Sequence, residues 1–123
     1  MPDELKTIMD NAIMDSIYRP PTRDVEPRTA LRFWRVFEVT FPDGRISTHF
    51  VGDTGREGRV SSAIERYFPE TRVGTSRSGR HYDLSKGGPG WTKDADWVWG
   101  IWCKRNNCTF IEITEKYTNA YED

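Results

Sequence analysis

The sequence predicts an α+β domain: a small, mostly antiparallel sheet in the order β-β-α-β-β-α-β, with helices packed on one side. Three observations lead to this prediction. Apolar residues alternate on both sides of a turn at 41–45, and they recur at helical spacing in other stretches. The chain has 123 residues, close to the commonest size of a single domain. Its composition, 36% hydrophobic and 30% charged with 13% aromatic, is typical of a soluble globular protein.

The N-terminal region differs in character from the rest of the chain. Residues 4–18 carry apolar side chains at i, i+3, i+4, i+7 and i+8, which predicts an amphipathic helix. Three prolines within 19–27 then interrupt regular structure. We therefore predict a helical arm and linker over 1–27, a single core domain over 28–116, and a polar tail over 117–123.

The clearest predicted element is a β-hairpin over residues 30–51. Its turn contains Pro42, Asp43 and Gly44, which preset φ, bind local backbone and supply a positive φ, respectively. The alternating positions are Leu31, Phe33, Phe37, Val39 and Phe41 on the first strand and Ile46, Thr48 and Phe50 on the second. A second, shorter hairpin is predicted over 72–84, with its tip at 76–79 and with Tyr82 and Leu84 facing inward.

A helix is predicted between the two hairpins. Thr54 and Glu57 have the spacing of a capping box, and Pro69 would end the helix. The apolar stripe at helical spacing comprises Val60, Ala63, Ile64, Tyr67 and Phe68.

The segment 94–107 fits either a helix or a strand. Its length and Asp94 as a cap favour a helix that ends at Asn106-Asn107, whereas its many rings and Gly100 favour a strand. We predict a helix, followed by a strand over 109–114. On that helix Trp99 and Trp102 share the core face, while Trp97 and Ile101 point the opposite way. That second face is either covered by the N-terminal arm or exposed as an interface, for instance of a homodimer.

Charge is distributed unevenly although the net charge is only −1. Residues 28–105 carry fourteen basic and nine acidic side chains, and both ends of the chain are acidic. Within 72–93 five basic side chains meet one acidic one, interleaved with His81, Tyr82 and Trp91. Such a segment suits the acidic surface of a protein or single-stranded nucleic acid, and a solvated hairpin with Tyr82 in the core is the plainer alternative.

The segment 52–59 contains three glycines and two arginines at the start of the predicted helix. Free N–H groups there would suit an anion, although the segment matches neither the phosphate-loop pattern nor the dinucleotide fingerprint. A flexible connection between strand and helix is the simpler interpretation.

No motif indicates a metal centre or a catalytic group. His49, His81, Cys103 and Cys108 lack the ligand spacing of structural zinc sites, and no nucleophile is set beside a base. We therefore predict no cofactor, no metal and no enzymatic activity, with a small enzyme that uses His81 or His49 as a remote alternative. No apolar run approaches the ~18 residues of a membrane span, and the N-terminus lacks the pattern of a signal peptide. A cytoplasmic location is expected.

Three compact segments resemble those of small uncharacterised proteins of phages and prophages. They are Thr54–Ala63 (TGREGRVSSA), Ser76–Leu84 (SRSGRHYDL) and Asp94–Trp102 (DADWVWGIW). The resemblance extends loosely over 30–115 and implies an accessory protein that docks on a host enzyme, such as a restriction or CRISPR effector.

The sequence thus favours a non-enzymatic protein that binds a host protein which handles nucleic acid. The alternative is a protein that binds single-stranded nucleic acid or a nucleotide through 72–93. The candidate binding residues are Arg56, Arg59, Arg72, Arg77, Arg80, His81, Tyr82, Lys86, Trp91 and Trp97.

Overall fold

The computed structural model describes residues 28–122, so the predicted N-terminal helix and proline-rich linker lie outside the described residues. Within 28–122 the chain forms eight strands and two helices. They are β1 (Arg28–Ala30), β2 (Arg32–Thr40), β3 (Ile46–Asp53), β4 (Gly58–Val60), β5 (Ile64–Phe68), β6 (Val73–Ser76), β7 (His81–Asp83), α1 (Lys93–Asn106), β8 (Thr109–Glu112) and α2 (Thr114–Glu122).

The strands form two four-stranded sheets. We call β1-β7-β6-β5 the outer sheet and β4-β3-β2-β8 the central sheet. Neighbouring strands are antiparallel except β1 and β7, which pair in parallel. The predicted α+β class with a mostly antiparallel arrangement is confirmed. Two details differ: the strands divide between two sheets, and the two helices pack on opposite faces of the central sheet.

Both faces of the central sheet are buried, which produces a three-layered core. Toward the outer sheet, one buried cluster contains Leu31, Trp34, Val36, Phe50, Tyr82 and Leu84. On the other face, a second cluster contains Phe37, Val39 and Val51 together with Ala95 and Trp99 of α1. Successive side chains of a strand point to opposite faces of the sheet. Because both faces are buried here, β2 and β3 carry apolar side chains at consecutive positions.

Both predicted hairpins are present, with one correction on the first. β2 pairs with β3 and β6 pairs with β7 in antiparallel registers. The predicted alternation placed Phe33 inside, but a bulge between Arg32 and Arg35 puts Phe33 at φ 50° and leaves it 52% exposed. Trp34 occupies the buried position instead.

The helix predicted from Thr54 to Phe68 is wrong, because this stretch forms a turn and strands β4 and β5. A register shift between Ile64 and Arg66 interrupts the pairing of β5 with β6. As a result Ile64 and Tyr67, three residues apart, both pack against the core between the sheets. A bulged strand has thereby reproduced the i, i+3 spacing of a helix.

The segment 94–107 is a helix, as predicted, but its N-cap is Thr92 rather than Asp94. The Thr92 hydroxyl accepts from the Ala95 N–H, and Asn107 ends the helix in the left-handed conformation. Trp97 lies on the solvent side of α1 and is 69% exposed. Along 28–122, none of the helices combines the length and apolar character needed to cross a membrane.

The C-terminal residues continue the core. Tyr117 of α2, the first residue of the predicted polar tail, packs against Phe50 and Tyr67 with ring centroids 5.9 and 4.7 Å apart, respectively. The Thr114 hydroxyl accepts a hydrogen bond from the Val36 N–H at 3.1 Å, which ties the start of α2 to β2.

Candidate functional site: an arginine groove

An open groove of about 580 Å³ lies between the start of β1 and the turn that joins β3 to β4. Its described lining comes from two segments that are distant in sequence: Arg28, Thr29 and Ala30, and Thr54, Arg56, Glu57 and Arg59. We call it the arginine groove. Its volume falls within the ~300–1,000 Å³ range of ligand sites, but its lining is far more polar than is usual for a small-molecule pocket.

The turn that carries Arg56 is held by its own side chains. Asp53 Oδ1 accepts a hydrogen bond from the Gly55 N–H at 2.7 Å, and Thr54 Oγ1 accepts from the N–H groups of Arg56 and Glu57. Gly55 sits at φ +96°, a conformation that a side chain would strain. The turn is thus formed by local hydrogen bonds of the Asx and Ser/Thr type.

The same turn is fastened to α1. Thr92 Oγ1, which caps the helix, donates to Asp53 Oδ2 at 3.1 Å. Gly58 lies so close to the helix start that a Cβ there would stand 2.4 Å from the Asp94 carbonyl oxygen. The position of Arg56 and Arg59 is consequently set by the helix cap.

The opposite wall is β1, which is fixed by the outer sheet. Arg28 is the register partner of His81 on β7, and the Leu31 N–H donates to the Asp83 carbonyl at 3.0 Å. Arg80 Nη1 donates to Thr29 Oγ1 at 2.9 Å, which places a further guanidinium beside this wall.

Charge in the groove is predominantly positive. Three of the seven described lining residues are arginines, and Glu57 is the one acidic residue among them. Glu57 Oε2 pairs with Arg59 Nη2 at 3.0 Å, so this carboxylate is already engaged by one guanidinium. Arg28 and Arg56 are exposed, which leaves their planar donor sets facing solvent.

Of the ten candidate residues, the structure brings four to this site or its wall. Arg56 and Arg59 line the groove and Arg80 borders it, while His81 lies next to Arg28 on β7. Arg28 itself was not among the candidates, because nothing in the sequence indicates that β1 lies beside residues 54–59. A parallel pairing with β7, fifty residues away, brings it there.

The remaining candidates lie elsewhere. Arg77 is exposed at the tip of the second hairpin, Lys86 is exposed in the loop after β7, and Arg72 takes a left-handed conformation in the turn before β6. Tyr82 is completely buried in the core, so it is not available to a macromolecular partner. This corrects its inclusion in the binding surface and matches the plainer alternative given above.

The two tryptophans among the candidates lie on the α1 side of the molecule. Trp91 is half-buried: its Nε1 donates to Asp96 Oδ1 at 3.0 Å, its ring meets Phe37 edge-on, and Arg35 stands 4.7 Å above it. Trp97 is exposed on α1. The ten candidates therefore do not form one continuous surface.

The anion site considered as an alternative at a helix N-terminus over 52–59 does not form, and the helix that the preferred interpretation assumed there is absent too. No helix begins there, and the N–H groups of Gly55, Arg56 and Glu57 bind Asp53 and Thr54. The two arginines of this segment, Arg56 and Arg59, nevertheless line the groove.

Both ring nitrogens of His49 have local hydrogen-bond partners. His49 is buried, with Nδ1 2.8 Å from the Ser61 carbonyl and Nε2 2.7 Å from Ser47 Oγ. Burial lowers its pKa to about 4, so the ring is neutral near pH 7. Among residues 28–122, no three His, Cys, Asp or Glu side chains are grouped as metal ligands.

Comparisons with known proteins supply no relative. Neither the family models nor the curated proteins nor the solved structures searched contain a match to this chain.

Proposed function

We propose that this chain is a non-enzymatic binding protein whose arginine groove holds the carboxylates of an acidic segment on a partner protein. The observation that carries the proposal is the groove itself, in which Arg28 and Arg56 face solvent from opposite walls. A guanidinium binds a carboxylate through two parallel hydrogen bonds, and arginine is enriched in residues that dominate binding energy.

The lining favours a peptide over a nucleobase. It contains arginine, threonine, alanine and glutamate but, among the described residues, no aromatic ring. Proteins that hold single strands combine positive charge with rings on which bases stack. Tyr82 and Trp91, the rings predicted to serve this purpose, are respectively buried in the core and packed on Phe37.

We extend the proposal to the kind of partner. The resemblance to small phage proteins supports a host protein that handles nucleic acid, such as a restriction or CRISPR effector. The acidic ends of the chain, each with net charge −3, would mimic phosphate toward such a partner, while the basic middle meets carboxylates.

A second candidate function, binding of single-stranded nucleic acid, is favoured by a different feature. Strand registers place Arg28, His81, Thr75 and Arg66 side by side across the outer sheet, a row of about 14 Å at the usual strand spacing. We call it the outer row. Two of its four residues, Thr75 and His81, belong to the segment 72–93, and the row contains one ring, that of His81.

Charge reversal at three exposed arginines distinguishes binding of an acidic peptide from binding of single-stranded nucleic acid. Arg56→Glu alters the groove, Arg66→Glu alters the outer row, and Arg105→Glu at the end of α1 is the control with the same change in charge. Fluorescence anisotropy measures binding of each full-length variant to a labelled oligoglutamate peptide and to a labelled oligothymidylate, in about 50 and 200 mM salt.

We expect Arg56→Glu to weaken peptide binding by about ten-fold or more, roughly the loss of one charge-assisted contact, while the other two variants stay within about three-fold of wild type. Equal weakening by Arg105→Glu would show that the peptide senses only overall charge and would overturn the proposal. If the chain binds oligothymidylate tightly at 200 mM salt and Arg66→Glu abolishes this binding, the proposal would be replaced by binding of single-stranded nucleic acid.

A further inference from the structure

The C-terminus of α1 ends in a Schellman motif with a cysteine at each of its two contact positions. Asn107 adopts the left-handed conformation, at φ 51° and ψ 44°. The Cys108 N–H donates to the Cys103 carbonyl, and the Asn107 N–H donates to the Lys104 carbonyl, both at 3.3 Å. This is the double hydrogen-bond pattern in which side chains at the positions of Cys103 and Cys108 usually touch.

The two thiols do interact. Both cysteines are free and partly exposed, and both pack at the edge of the cluster formed by Phe37, Val39 and Trp99. The two side chains are close enough that each affects the pKa of the other. We propose that Cys103 and Cys108 are a modification site: they form a reversible intramolecular disulfide that closes the helix cap, with a low-molecular-weight disulfide of the glutathione type as oxidant.

The exchange proceeds in two balanced steps. The Cys108 thiolate attacks one sulfur of the oxidant RSSR, forms a mixed disulfide and releases RS⁻. The Cys103 thiol then loses its proton to water, and its thiolate attacks Cys108 Sγ and releases the second RS⁻. The two thiolates take up the two protons that the cysteines lost, so two protein thiols are oxidised while RSSR is reduced to two RSH.

The surroundings indicate which thiol reacts first. Burial, with a smaller contribution from neighbouring Cys108, raises the pKa of Cys103 to about 12. Burial also raises the pKa of Cys108, but the neighbouring Cys103 side chain acts in the opposite direction and lowers it. Since the thiolate is the nucleophile, Cys108 starts the exchange, and the reaction accelerates as pH rises.

Equilibration of the full chain in glutathione buffers tests the proposal. Alkylation followed by mass spectrometry distinguishes free thiols, glutathione adducts and the intramolecular disulfide, which lacks two hydrogen atoms and has no adduct. We expect the effective concentration of the two thiols to be about ten-fold or more higher in the folded chain than in urea, because the cap holds the sulfurs together. In single variants, Cys103→Ser should form the glutathione adduct faster than Cys108→Ser.

A relocated thiol provides the matched control. The double substitution Cys103→Ser with Lys104→Cys keeps two cysteines but moves one away from the contact position of the motif. In this variant we expect the effective concentration of the two thiols to be no higher in the folded chain than in urea. A persistent glutathione adduct on the folded wild type would overturn the proposal, as would a disulfide that forms equally well in urea or in the relocated pair.

Discussion

Acid should destabilise this protein through His49. The ring is 4% exposed and sits against Trp102 at a centroid distance of 4.7 Å. Since the Ser61 carbonyl can only accept, Nδ1 carries the proton and Nε2 accepts from the Ser47 hydroxyl. A second proton on Nε2 would break the contact with Ser47 as it stands and would place a charge in the core.

The size of the effect follows from the pKa of His49, which burial lowers from 6.5 to about 4, with Arg77 also disfavouring the charged ring. As pH falls below 6.5 the unfolded chain takes up the proton, whereas the folded chain does so only near pH 4. The free energy of unfolding therefore falls across this window, by about 3 kcal/mol in total at 1.36 kcal/mol per pH unit, and flattens below it. Between pH 7 and 4.5 the loss is about 2 kcal/mol.

Urea denaturation followed by tryptophan fluorescence at pH 7, 6, 5 and 4.5 measures this loss. His49→Asn keeps an amide donor for the Ser61 carbonyl, so it lowers stability by a constant amount but removes the titration. We expect wild type to lose about 2 kcal/mol more than His49→Asn over this range. Parallel pH dependence of wild type and His49→Asn would refute this account of the buried ring.

Three further predictions concern the stability of the fold that carries the groove. Gly58→Ala should cost about 1–3 kcal/mol in urea denaturation, because its Cβ would meet the Asp94 carbonyl oxygen at 2.4 Å; a cost below about 0.5 kcal/mol would contradict this packing. Thr92→Ala should cost about 1 kcal/mol by thermal unfolding, whereas Thr92→Ser should retain most of the stability, since serine keeps the hydroxyl. Deleting 1–27 should leave a cooperative thermal transition, because 28–122 supplies both core clusters; a non-cooperative melt would place part of the core in the deleted residues.

The elements predicted correctly are those whose sequence signals lie close together along the chain. The turns of both hairpins carry residues that need a special backbone, and Gly44 and Gly79 do take positive φ, at 93° and 94°. The helix α1 was predicted from its length and from Asp94 as its cap. The cap is Thr92 instead, but the predicted stop at Asn106-Asn107 is correct, since Asn107 ends the helix. Each of these signals lies within about fifteen residues, so tertiary contacts were not needed to interpret them.

The groove depends on contacts that a single sequence does not display. Arg56 and Arg59 were singled out for their charge and their glycine neighbours, but Arg28 joins them only through the parallel pairing of β1 with β7. The burial of both faces of the central sheet is likewise a tertiary property. Phe37 and Val36 are adjacent in sequence and belong to different clusters, so simple alternation assigned one of them to solvent.

The misassigned helix over 54–68 shows which local signals deserved more weight. Gly58 lowers helix propensity, and Ser61 and Ser62 have side chains that compete for backbone hydrogen bonds. In the structure Ser61 does so: its hydroxyl accepts from the Phe50 N–H at 2.9 Å and donates to the Ser62 carbonyl at 2.7 Å. Its own N–H donates to the Phe50 carbonyl at 2.9 Å, which extends the β4 side of the sheet past Val60. A strand at this point carries Arg59 to the groove beside Glu57, so the preference of these small residues for strand and turn is part of what builds the site.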